Sequence, residues 1–136
     1  ILMIGGHYTY AEVPIFNDLR DFFNHQRNNY DKIGHLAQGF IPAIIAREIV
    51  VRNAIIPNST WQVFFVVCFC LAFSALYELL EWLVAVSTGE GAEAFLGTQG
   101  YVWDTQSDMA FALIGAISSI LLLRKYHDKQ LREIST

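Results

Sequence analysis

A chain of 136 residues has room for one domain, and only 16% of its residues are charged while 54% are hydrophobic, with a mean hydropathy of +0.34. A soluble domain is usually about a quarter charged, so the shortfall points to lipid as the surrounding solvent. The net charge of −4 comes with no basic stripe, which excludes nucleic acid as a partner.

The chain opens with Ile-Leu-Met-Ile-Gly-Gly. This stretch lacks the basic region and cleavage site of a signal peptide and reads as the outgoing end of a transmembrane helix whose upstream part is absent. Residues 7–31 read as an interfacial loop with a short amphipathic helix near residues 17–24. Three apolar segments follow, at residues 32–51, 61–86 and 107–123. Each approaches the ~20 residues that cross a ~30 Å hydrocarbon layer.

The first segment is the most polar, with His35, Gln38, Arg47 and Glu48, and cannot sit alone in lipid. The second is the most apolar. Its Cys68 and Cys70, two apart on a helix, face different ways and cannot pair; both read as small core residues. The third is rich in small residues, as close helix–helix contact requires. Between the last two, residues 87–106 are glycine-rich and acidic, without Lys or Arg. Trp61, Trp82 and Trp103 stand near the expected interfaces, where aromatic belts form. The expectation is an all-α, polytopic membrane domain in contact with lipid.

Arg47 and Arg52 flank the first turn, and Arg124, Lys125, Lys129 and Arg132 follow the last span. By the positive-inside rule these lie in the cytoplasm, so residues 7–31 and 87–106 are external and the C-terminus is cytoplasmic.

On that map the intramembrane polar groups fall on one side. Asp31 and His35 (i, i+4) begin the first span, Glu78 and Glu81 (i, i+3) end the second, and Asp104 and Asp108 (i, i+4) begin the third. Each pair shares a helix face. A carboxylate at the centre of a span costs about 2.5–3.5 kcal/mol on insertion scales, so these groups must face one another or a wet cavity. Packed together they repel, and a cation has to neutralise them. A divalent metal (Zn, Mg, Mn or Fe) suits such carboxylate and imidazole ligands. The candidate ligands are His35, Glu78, Asp108, His7 and Asp31; Glu81 and Asp104 are candidate general bases. Plainer readings stand beside these. His35 could be a packing histidine, Asp31 and Asp104 helix N-caps, and Glu81 a side chain snorkelling beside Trp82.

Four strings are specific enough to name a resemblance: Gly-Gly-His-Tyr-Thr-Tyr-Ala-Glu-Val-Pro (5–14), Asp-Lys-Ile-Gly-His-Leu-Ala-Gln-Gly-Phe (31–40), Tyr-Glu-Leu-Leu-Glu-Trp (77–82) and Leu-Gly-Thr-Gln-Gly-Tyr-Val-Trp-Asp-Thr-Gln-Ser-Asp-Met (96–109). With these the chain resembles the YjdF-type family of bacterial inner-membrane proteins, a domain of unknown function. The resemblance implies an inner-membrane location and further N-terminal spans, and no activity. A weaker likeness is to VanZ-like membrane proteins, through Asp31, Lys32, His35, Glu78, Asp104, Asp108 and Gly115; the Gln and Arg of that pattern have no counterpart here.

Three functions fit these residues: a metal-dependent hydrolase or transferase acting on a lipid or envelope head group, with residues 87–106 as a lid; a non-enzymatic ion or lipid binder or transporter; and a structural subunit whose carboxylates pair with a membrane-protein partner.

Overall fold

The computed structural model describes residues 1–88 and 98–134. All of its regular structure is helical: α1 (Leu2–His7), α2 (Pro14–Phe22), α3 (Tyr30–Arg52), α4 (Ser59–Thr88) and α5 (Asp104–Ile134). At 1.5 Å per residue the three long helices measure ~34, ~45 and ~46 Å, and each has the length and apolarity to cross a bilayer. The chain is an all-α membrane protein.

The third long helix runs eleven residues past Leu123, where the apolar run ends. Nothing breaks it there: residues 124–134 contain neither Gly nor Pro, and their Arg, Lys, Gln, Leu and Glu are good helix formers. The amphipathic helix starts at Pro14, earlier than the apolar spacing suggests, because proline at the first helical position has its φ already set.

α3 packs most extensively on α5, and the two run parallel with α4 antiparallel beside them. Their close approach is built from missing side chains. A Cβ on Gly39 would collide with the carbonyl of Ala112, and one on Gly115 with the carbonyl of Leu36. Ala43, Val66, Cys70, Ala116 and Ile120 form the core where the three helices meet. The large apolar side chains point away from it, among them Ile41, Ile45, Phe65, Phe69, Leu80 and Leu121. This inside-out arrangement is that of a protein solvated by lipid tails.

The tryptophans are all exposed, Trp61 at the start of α4, Trp82 towards its end and Trp103 just before α5. Cys70 is buried, whereas Cys68 lies on the exposed face of α4, so only one of the two is a core residue. The i, i+2 separation that keeps them from pairing also sends them to opposite environments.

Candidate functional site

The N-terminal end of α3, the C-terminal part of α4 and the N-terminal end of α5 come together at one end of the bundle, and each contributes acidic groups. Asp104 and Asp108 face α3 from the first turns of α5, and Glu78 faces it from α4; all three are buried. Neither Asp31 nor Asp104 is a helix N-cap: Asn29 precedes α3, and both aspartates lie inside the first turn, where the helix dipole favours an anion.

Two cations sit among these carboxylates, and sequence reasoning gave neither that role. Lys32, 6% exposed, donates from Nζ to Asp104 Oδ1 and to Asp108 Oδ1, each at 2.7 Å, and lies 3.7 Å from Asp31 Oδ2. Arg27 donates from Nη1 to Asp104 Oδ1 at 2.5 Å and from Nη2 to Asp31 Oδ2. The Tyr101 ring covers both, 5.4 Å from the Arg27 guanidinium carbon and 5.7 Å from Lys32 Nζ, a cation–π arrangement. The cation that such crowded carboxylates need is therefore supplied, for Asp31, Asp104 and Asp108, by the protein itself.

The segment before α3 is held by a backbone clasp. Gln99 accepts a hydrogen bond from the Asn28 backbone N–H at 2.8 Å and donates one to the Asn28 carbonyl at 2.9 Å. The buried Asn28 side chain donates to the Val13 carbonyl and to Asn17. These bonds fix the approach of Arg27 to the cluster from outside the long helices. Of the expected lid, 87–106, residues 89–97 lie outside the described residues.

Beyond Lys32 the balance changes. His35 Nε2 lies 3.5 Å from Glu78 Oε1 and 3.9 Å from Asp108 Oδ2. Glu78 Oε1 and His35 Nδ1 are buried and make no hydrogen bond among the described residues. The ligand atoms of His35, Glu78 and Asp108 all lie within 4.8 Å of one another, as do those of Asp31, Asp104 and Asp108. Ligands ~2.1 Å from a common centre at tetrahedral angles stand ~3.4 Å apart, so the first trio would have to draw together to close on a small cation. The second trio already surrounds an ammonium group.

His35 and Asp108 of the first trio stand on the wall of a cavity of about 340 Å³ between α3 and α4, lined at its polar end by Asp31, His35, Gln38, Tyr77, Glu81 and Asp108. Glu81 thus turns towards the cavity. His7 is exposed at the end of α1, edge-on to Tyr8, and belongs to neither trio. Of the seven residues singled out from sequence, six are brought to this end of the bundle and His7 stays outside.

Residues 1–129 match the model of the family described as "Predicted membrane protein (DUF2238)". The chain belongs to this family. It is similar to the inner membrane protein YjdF of Escherichia coli (strain K12), 50% identical over 132 residues that make up 97% of this chain and 63% of that protein. The chain spans less than two thirds of the length of this relative. No solved structure matches it. Membership of the DUF2238 family, with its three apolar helices, makes this a membrane protein homologous to an inner-membrane one.

Proposed function

We propose that the protein is an inner-membrane enzyme whose acid-rich end, at the outer leaflet, binds a divalent cation through His35, Glu78 and Asp108 and acts on the head group of a lipid or envelope amphiphile. One observation carries the reading: three ligand-bearing side chains from three helices converge, two of them, His35 and Asp108, on the wall of a cavity, and Glu78 Oε1 is buried beside them without a hydrogen-bond partner among the described residues. A buried, unpartnered carboxylate oxygen is costly, and a bound cation offsets that cost.

The cation would supply Lewis-acid polarisation of a phosphoryl or carbonyl oxygen. Glu81, on the cavity wall, takes the proton from the attacking hydroxyl or water. Asp104 is a less suitable base, since its Oδ1 accepts from both Arg27 and Lys32; it positions those cations. Lys32 in turn holds Asp108 Oδ1, leaving Oδ2 towards His35. The core of Ala43, Val66, Cys70, Ala116 and Ile120 closes the bundle beneath the cluster, which favours a site worked from one side over a transport path through these helices.

The test is metal content and titration of the intact protein in detergent. One tightly bound divalent ion per chain is expected, lost in Glu78→Gln and in Asp108→Asn but kept in Arg47→Met. A wild-type protein that neither retains nor takes up a stoichiometric divalent ion overturns the reading.

A further inference from the structure

The cavity at the acid-rich end does not stop there. A second cavity of about 420 Å³ continues along the same α3–α4 face, and the two share Pro42 and Phe73. Its lining is wholly apolar, with Ile45, Ile49, Phe65 and Phe69 among its walls. The groove exists because α3 lacks bulk on this side: Gly34, Ala37 and Ala46 line it where larger side chains would fill it. From His35 to Val50 it extends ~22 Å along the helix, more than the ~15 Å from the interface to the middle of the hydrocarbon layer.

We infer that this groove holds an acyl chain of a phospholipid whose amine-bearing head group lies at Glu81 and Asp31, which names the substrate class for the site proposed above and rests on that reading. Continuity supports the chain: a polar chamber leading into an apolar track is the shape of an amphiphile. Charge supports the head group. Asp31, Glu81 and Asp108 line the polar end, and no Lys or Arg side chain does. Asp31 and Asp108 are engaged by Arg27 and Lys32, whereas Glu81 makes no ion pair among the described residues. An ammonium group finds there one oxygen of the Glu81 carboxylate, the other being left to act as the base, and the rings of Tyr10 and Tyr77, both on the cavity wall. A head group without an amine brings no partner for the Glu81 carboxylate. With a cation on His35, Glu78 and Asp108, the phosphate of the same head group lies on the metal side and the amine on the Glu81 side.

The experiment places p-benzoylphenylalanine at Phe73, and separately at the outward-facing Leu121, in the intact protein in native membranes. Irradiation and mass spectrometry then identify the adducts. The expected adducts at Phe73 are phospholipids, with phosphatidylethanolamine enriched over phosphatidylglycerol roughly tenfold relative to Leu121, as one charged hydrogen bond supplies. Glu81→Gln returns that ratio to the Leu121 value, and Ala37→Phe, which fills the groove, removes the lipid adducts while the protein stays monodisperse. Peptide adducts at Phe73, from this protein or another, overturn the inference, as does an equal head-group ratio at the two positions. A protein that binds its divalent ion but fails this test loses the lipid assignment alone; one that shows the enrichment without the ion loses the catalytic reading alone.

Discussion

Buried charge occupies both ends of the α3–α5 pair, yet the two ends are built differently. At the far end from the acidic cluster, Arg47 is 3% exposed and donates to His127 Nδ1 at 2.7 Å and to Asp128. His127 Nε2 lies 3.5 Å from Glu48, which also pairs with Arg52 at 2.8 Å. Here two guanidinium groups meet two carboxylates, and none of the four lines either cavity. At the acidic end, five carboxylates, Asp31, Glu78, Glu81, Asp104 and Asp108, stand against two cations among the described residues, Arg27 and Lys32, which pair with the three aspartates, and the excess lies beside a cavity. A balanced cluster in a packed contact fastens two helices. An unbalanced one at a cavity has a charge deficit that a ligand can fill.

The sharpest way to break that contrast is to remove the cation that both roles depend on. Lys32→Met leaves Asp104 and Asp108 without the ammonium that both accept from. Stripping one partner from a buried ion cluster costs about 3–5 kcal/mol, so the variant should unfold at markedly lower denaturant in detergent or fail to accumulate. Adding Asp108→Leu should restore part of the loss, and the double-mutant cycle measures the coupling. A Lys32→Met protein as stable as the wild type would show that the carboxylates are not held by Lys32. Arg47→Met should cost less, about 1–3 kcal/mol, because the Asp128 side chain it abandons is 36% exposed and can be hydrated. Its cation titration should match the wild type; weakened binding there would mean the two ends are coupled. Gly39→Ala tests the seam between them. The new methyl group meets the Ala112 carbonyl, and the strain of overpacking, typically about 1–3 kcal/mol, should appear as lower stability and as weaker cation binding, since α3 and α5 carry His35 and Asp108.

Much of this contrast was legible in the sequence, and what was not has a definite cause. Three apolar runs of spanning length state the fold. The i, i+3 and i, i+4 spacings place the acidic pairs on single helix faces, and antiparallel threading brings them to one end. Lys32 escaped because it stands at the edge of an apolar run, where a lysine usually snorkels to water; its partners are 72 and 76 residues away. Arg27 and Tyr101 lie outside the long helices, where no periodicity constrains them. Arg47 and His127 escaped for a related reason. The hydropathy of α5 falls after Leu123, so His127 reads as tail, although the helix continues at the same pitch and carries it onto α3. Apolar pattern marks where lipid is, not where a helix ends.

The smallest expected effect distinguishes a site from a scaffold most cleanly. Glu78→Leu removes a buried carboxylate whose Oε1 has no hydrogen bond among the described residues, and replaces it with a side chain suited to its apolar neighbours on α4. Were Glu78 a structural residue, its loss would destabilise the bundle as the loss of Arg47 should. If it is kept for a ligand, the empty protein gains about 1 kcal/mol, the usual return when a functional residue at odds with its surroundings is replaced, and cation binding disappears. Unfolding midpoints measured with and without a chelator separate the two. The wild type should lose stability when the ion is removed, by an amount set by the ratio of free ion to Kd, and Glu78→Leu should be indifferent to it. A variant both destabilised and still chelator-sensitive would move Glu78 from the site to the scaffold and place the cation on other side chains.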